Sequence, residues 1–267
     1  MVRNYPSEQN ISQMVATPTP IPGTPTPTPT LTPTPTPTPS FNPPITTSNL
    51  WLYADGTYGR CYTGGTVWSD ISTNAFVGTL STPYTNYTYK QEYNGYFDIT
   101  GQTFSFANAS SGTTTGNWSF GCWIAANPLG LARYLSNGSL INNGTANLII
   151  GSNSANYWQV QINTTTSGLI SCVSNVPIVS DTTFVYVMGV WTSGSNLKIY
   201  INGVLNNTTN TTNTTLQTPS QGWNGGQWDN IPKVEYKCKL GDLQVYNKAL
   251  SDSEVLNNYN AKKTIYL

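Results

Sequence analysis

Between Val234 and Leu240 the chain alternates strictly: Val234, Tyr236, Cys238 and Leu240 are apolar, while Glu235, Lys237 and Lys239 are charged. A two-residue period predicts a strand with one face buried and the other wet. Leu243 and Val245 carry the alternation past Gly241. The pattern then changes. Ser251 stands three residues before Glu254, and Val255, Leu256 and Tyr259 form an apolar stripe behind them, which predicts a short helix opened by a capping box. Upstream, strands are predicted at Leu50 to Tyr53, Tyr96 to Ile99, Phe104 to Ala107, Trp118 to Ala125, Asn147 to Ile150, Tyr157 to Asn163, Gly168 to Ser174 and Phe184 to Trp191. Lys198 to Ile201 and Val204 to Leu205 flank Asn202-Gly203, a pair that readily adopts the two positive φ values of a type I′ hairpin turn. Such regular spacing predicts an all-β fold in which only the end of the chain is helical. Gly56 to Asn94 reads as turn-rich surface loop, and NNTTNTTNTT, Asn206 to Thr215, as a polar loop after the hairpin.

The run from Gly241 to Glu254, GDLQVYNKALSDSE, resembles the closing strand of laminin-G-like jelly rolls in the concanavalin A-like lectin/glucanase superfamily. WSFGCWIAANP, from Trp118, is similar to that family's first core strand, VYVMGVWTSGSNLKIYINGVL, from Val185, to its central hairpin, and LWLYADG, from Leu50, to its opening. The matched segments lie in the family's order over about residues 50 to 262. The resemblance implies an antiparallel β-sandwich jelly roll. It constrains fold more than function, because this sandwich hosts enzymes, lectins and structural parts alike.

Ahead of the sandwich, Thr17 to Ser40 is nearly pure Thr-Pro. Each proline fixes φ, lacks an amide donor and pushes the preceding threonine out of the helical region, so the tract is expected to be extended. As polyproline II at about 3.1 Å per residue it would span on the order of 70 Å. Residues 1–16 are too short to fold alone; they read as an attachment segment that orders against a partner, or as a frayed terminus. The expected organisation is a tail over 1–16, a linker over 17–43 and a sandwich over 44–267.

Composition narrows the partners. Charged residues are 8% of the chain, with 11 basic against 11 acidic, so no field exists to attract nucleic acid or an anionic membrane. Asn, Thr, Ser, Gly and 12% aromatics are the make-up of an extracellular or virion-surface β protein. No stretch is apolar and long enough to span a membrane, and the first twenty residues lack the apolar core of a secretory signal. Tail, spacer and head together suggest display, with residues 1–16 gripping other structural proteins of a particle or surface layer. The expected role is a non-catalytic virion component, and the alternatives are a cell-surface carbohydrate-binding adhesion module and, disfavoured, a glycoside hydrolase.

The hydrolase is disfavoured because glycosidic cleavage needs two carboxyl groups across the bond, which a strand supplies at alternate positions. The only acids at that spacing are Asp252 and Glu254, in the helix cap. Without histidine there is no Ser-His or Cys-His pair and no zinc site of the usual spacing. Cys61, Cys122, Cys172 and Cys238 read as buried free thiols, or as one or two disulfides.

Sugar recognition uses aromatic faces together with Asn or Asp oxygens and amides. GWNGGQWDN places Trp223, Asn224, Trp228, Asp229 and Asn230 in one loop, the candidate glycan site, unless Trp223 starts the next strand and packs inward. In a second group, Asn156, Tyr157 and Trp158, burial is the expectation. No cofactor is implied; relatives that hold calcium on a rim loop leave Asp229 as its one weak candidate ligand here, without an acidic cluster around it. Asn-x-Ser/Thr triplets make Asn207, Asn210, Asn213, Asn86, Asn137 and Asn143 candidate glycan acceptors, whereas Asn117 precedes a core strand and is a poor one.

Overall fold

A computed structural model describes residues 45–80, 88–90, 95–99, 104–109, 115–128, 132–137, 146–219, 222–225 and 238–267. In chain order these residues form β1 (Leu50–Asp55), β2 (Val67–Ser69), β3 (Val77–Leu80), β4 (Thr88–Lys90), β5 (Tyr96–Asp98), β6 (Phe104–Phe106), β7 (Trp118–Ala126), β8 (Ala132–Asn137) and β9 (Leu148–Ser152). They continue with β10 (Tyr157–Thr164), β11 (Gly168–Pro177), β12 (Val185–Thr192), β13 (Asn196–Ile201), β14 (Val204–Asn210), β15 (Trp223–Gly225), β16 (Cys238–Leu240), β17 (Asp242–Tyr246) and α1 (Asp252–Tyr266). The strands make two antiparallel sheets. One runs β14-β13-β12-β7-β16-β5-β4, with β17 also pairing β7 and carrying β1; the other runs β11-β10-β9-β8-β15-β6-β3-β2. This is the expected jelly-roll sandwich.

Strand alternation decides what fills it. Leu52, Phe120, Cys122, Ile124, Val187, Ile199, Leu243 and Val245 point between the sheets and meet Trp158, Val160, Ile162 and Trp223 of the opposite sheet. Their neighbours point the other way. Trp123, Tyr186, Met188, Tyr200 and Tyr246 cover the outer face of the first sheet, and α1 lies over them through Val255 and Tyr266. Gly121 and Gly189 are small because a Cβ there would strike Met188 and Phe120 respectively at under 3 Å.

Several expectations change in detail. The capping box is present: Ser251 Oγ accepts from Glu254 N and Glu254 Oε2 accepts from Ser251 N. The helix is nevertheless longer than its sequence signal, and its buried positions are Val255, Asn258, Lys262 and Tyr266 rather than the stripe through Leu256, which is 43% exposed. Within the expected loop Gly56 to Asn94, β2, β3 and β4 are short strands, β2 and β4 at sheet edges and β3 between β2 and β6. Of the alternation Val234 to Leu240, the part from Cys238 onward is β16, and the rest lies outside the described residues. The hairpin turn is as expected, with φ 52° at Asn202 and 79° at Gly203.

All four cysteines are buried and unpaired. Burial pushes each thiol above its usual pKa, and Cys61, Cys122 and Cys238 well above it. The native protein should therefore leave all four thiols unlabelled by an aromatic disulfide reagent at neutral pH and expose them together on unfolding. Rapid labelling of any one in the native state would contradict their role as small core hydrophobes.

Candidate functional site

The polar run after the hairpin, expected as a loop over Asn206 to Thr215, is strand as far as Asn210 and irregular from 211 to 214. β14 bulges at Asn206, where the pairing jumps from Tyr200↔Leu205 to Ile199↔Asn207. The bulge aims polar side chains at β11, the outer strand of the other sheet. Asn206 Oδ1 accepts from Asn175 N (2.6 Å), Asn207 Nδ2 donates to Val173 O (2.7 Å) and Thr209 Oγ1 donates to Ser171 O (3.0 Å). Backbone groups that an edge strand would leave bare are satisfied, and the two sheets are stitched together along one side. Asn and Thr at these positions are therefore structural, which is why the run looked like loop.

Where this seam ends, a cleft of about 430 Å³ opens between the turn after β10 and the segment after β14, lined by Ser167, Ile170, Asn210, Thr211, Thr212 and Asn213. Asn213 Nδ2 donates to Thr211 Oγ1 (2.9 Å) and Ser167 Oγ (3.1 Å), bracing the two walls. Gly194 N donates to Asn213 O (2.8 Å) and Thr165 N to Thr215 O (3.1 Å), so the backbone is held as well. Asn210 and Thr212 are exposed, and Ile170 supplies an apolar floor. No lining residue carries a charge. The cleft is shallow and open to solvent, and hydroxyls and amides around one apolar surface suit a neutral polyol.

The candidate loop fares differently. Trp223 sits in β15 between β6 and β8, with no exposed surface and its ring 6.2 Å from that of Phe120. A ring closed to solvent cannot stack on a sugar, so Trp223 is a core residue. Asn224 is 9% exposed and donates to Gly222 O (2.7 Å). Trp228, Asp229 and Asn230 lie outside the described residues, as do Asn86 and Asn143. Asn137 is fully buried in β8, which removes it as a glycan acceptor; Asn207 and Asn213 are tied by hydrogen bonds, and Asn210 projects into the cleft. Trp158 is buried, as its sequence context suggested.

A pair of carboxylates does exist, and no local spacing reveals it. Asp55 and Asp242 are direct partners across β1 and β17, and Lys262 of α1 reaches down to Asp55 and to Thr57 Oγ1 (2.7 Å). Tyr53 Oη (2.7 Å) and Thr57 Oγ1 (2.7 Å) also donate to Asp55. Asp242 accepts from Trp123 N (2.8 Å) and Gln244 Nε2 (2.7 Å), and Gln244 Oε1 accepts from Tyr186 Oη (2.9 Å) and Asn258 Nδ2 (3.1 Å). Asp55, Asp242 and Lys262 are 2%, 0% and 4% exposed. A glycosidase must place its two carboxyl groups on either side of a bound sugar, and these two lie beneath a helix with no surface to offer one.

Burial pushes the Asp242 carboxyl up to about 6, against an ordinary 3.8, with Lys262 opposing that rise and Asp55 adding to it. A folded-state pKa above the unfolded one means the folded protein binds the proton more tightly. Stability should therefore increase as pH falls from about 7 through 6 towards 4, by an amount on the order of 1 to 3 kcal/mol. Thermal melts across that range would show it, and Asp242→Asn should flatten the response. A melting temperature that falls steadily from pH 7 to 5 would contradict this.

The laminin-G family model, described as the concanavalin A-like lectin/glucanases superfamily, matches residues 98–256, more than half of the chain. The chain belongs to this superfamily. No curated protein is similar enough in sequence to count as a relative. Among solved structures, the binding domain of botulinum neurotoxin serotype G is similar at 15% identity with a TM-score of 0.63. The binding domain of botulinum neurotoxin DC in complex with SialylT is similar at 15% and 0.62, and that of Paraclostridial Mosquitocidal Protein 1 at 12% and 0.63. The match covers 81% of this chain in the first two and 80% in the third, but only 52% of each of those structures. At these identities the likeness is one of fold. The chain spans about half the length of the binding domains it matches.

Proposed function

We propose that the chain is a non-catalytic, carbohydrate-binding head carried on an extended stalk, and that the cleft at Asn210 is where the sugar binds. The observation that supports this best is the chemistry of the cleft: donors and acceptors without charge, held rigid by the seam between the sheets, around one apolar floor. The superfamily includes lectins, and one solved neighbour is a toxin binding domain in complex with SialylT, which fits a recognition role. Ligand binding needs no group with a shifted pKa, and the buried carboxylate pair Asp55 and Asp242 lies under α1 rather than in the cleft.

The Thr-Pro run over 17–43 is a spacer, residues 1–16 are the attachment segment, and 44–267 is the head. The reading is of a surface-displayed part of a virus particle, gripped through residues 1–16 by other structural proteins, with the head facing outward. A glycan at Asn210 would cover the cleft, so this residue serves either as acceptor or as ligand contact. The test is an array of neutral and sialylated glycans probed with the full chain. Binding of neutral glycans, weakened several-fold by Asn210→Ala or Thr212→Ala as expected for one lost hydrogen bond, supports the reading. Absence of binding to every glycan would remove it. Deleting residues 1–16 should release the protein from its particle without changing glycan binding.

A further inference from the structure

Trp51 is the extra residue of a bulge in β1, where the register passes from Leu50↔Tyr246 to Leu52↔Val245. Its half-buried ring packs at 4.8 Å on the ring of Phe76, itself half-buried, and edge-on to Trp118 at 5.8 Å. The loop carrying Phe76 is tied down by one side chain. The Asp70 carboxylate, 5% exposed, accepts from Tyr53 N (2.8 Å), Ser72 N (2.7 Å), Ser72 Oγ (2.7 Å) and Phe76 N (3.1 Å). Asn74 Nδ2 (2.7 Å) then donates to Trp51 O, leaving Asn74 at the surface beside the two rings. A fixed aromatic pair with amide groups at its rim is a platform for the apolar face of a sugar ring.

This platform and the cleft lie at the same end of the sandwich. One row of partners crosses the first sheet from Leu50 through Tyr246, Ser119, Val190 and Lys198 to Thr208, two residues before Asn210. Five strand-to-strand steps at about 4.8 Å put the two ends of that row on the order of 24 Å apart. Between them stand Asn117, whose Oδ1 accepts from Ser193 N (2.9 Å), and Ser193, whose Oγ donates to Thr214 O (3.1 Å). Trp51, Phe76, Asn74, Asn117, Ser193 and the residues lining the cleft carry no charge; Asp70 is buried beneath the platform, and Lys198 on the connecting row lies 3.9 Å from Asp252.

We propose that an uncharged oligosaccharide several rings long lies along this end of the sandwich, one part seated in the cleft at Asn210 and another stacked on Trp51 and Phe76. This rests on the carbohydrate-binding reading and deepens it by naming length and charge of the ligand. Calorimetric titration of the full chain with neutral hexose oligomers, from disaccharide to hexasaccharide, beside their sialylated counterparts, is the test. Affinity should rise about tenfold or more with length. Trp51→Leu and Phe76→Ala should abolish that rise while leaving disaccharide binding unchanged, whereas Asn210→Ala should weaken every length. Equal affinity at all lengths in the unaltered protein, or a preference for sialylated chains, would overturn the extended site while leaving a sugar-binding cleft in place. Absence of binding at any length would remove both.

Discussion

Replacing Lys262 by methionine is expected to lower stability by about 3 to 5 kcal/mol, the usual cost of removing one partner of a buried ion pair. Lys262 is the sole ammonium in contact with Asp55 among the described residues, and both groups are within a few per cent of full burial. Removing it leaves Asp55 and Asp242 facing one another across β1 and β17 with no cation between them. At about 2 to 4 °C per kcal/mol for a domain of this size, the melting temperature should drop by roughly 10 °C. Adding Asp55→Asn to Lys262→Met should restore part of the loss, because the uncompensated charge is then gone while hydrogen bonds from Thr57 and Tyr53 can persist. Denaturant titration of the single and double variants is the check. A single-variant loss below about 1 kcal/mol would mean that the pair is solvated like a surface bridge.

Trp123→Ala should cost a comparable amount, about 3 to 5 kcal/mol, by leaving a cavity under α1. The Trp123 ring is fully buried, stacked on Tyr259 at 5.0 to 5.5 Å together with Tyr266, and 5.5 Å from Tyr186. These rings are the main apolar contact between the helix and the first sheet. Backbone amides of Val255 to Tyr266 should consequently exchange with solvent faster in the variant, while those of β9 and β10 in the other sheet should keep their protection. Uniform loss of protection across both sheets would show that the helix and the sandwich open as one unit.

Much of this fold was legible because local chemistry and tertiary role agree. Asn202-Gly203 must turn, Ser251 with Glu254 must cap, and Cys238 with Leu240 must face inward. The failures arose where a residue's job depends on a distant partner. Asp55 and Lys262 are separated by 207 positions, so the pair that anchors α1 leaves no local trace, and an apolar stripe through Leu256 was the natural misreading. Asn206, Asn207 and Thr209 read as loop because polarity usually marks solvent; here it serves backbone groups of β11. Asn210 appeared only as a glycan acceptor, since nothing in the sequence tells that the turn after β10 folds back to make a cleft with it. Trp223 carried two readings, and burial between β6 and β8 selects the structural one.

The most direct test of the central claim, that this head recognises uncharged sugar at the end of the sandwich, is an amide chemical-shift map of the full chain titrated with a neutral oligosaccharide. The account expects shifts concentrated at Ser167, Ile170 and Asn210 to Asn213, extending to Trp51 and Phe76 for longer chains, with the amides around Asp55 and Lys262 unmoved. Shifts confined to other surfaces, or none at saturating sugar, would contradict it.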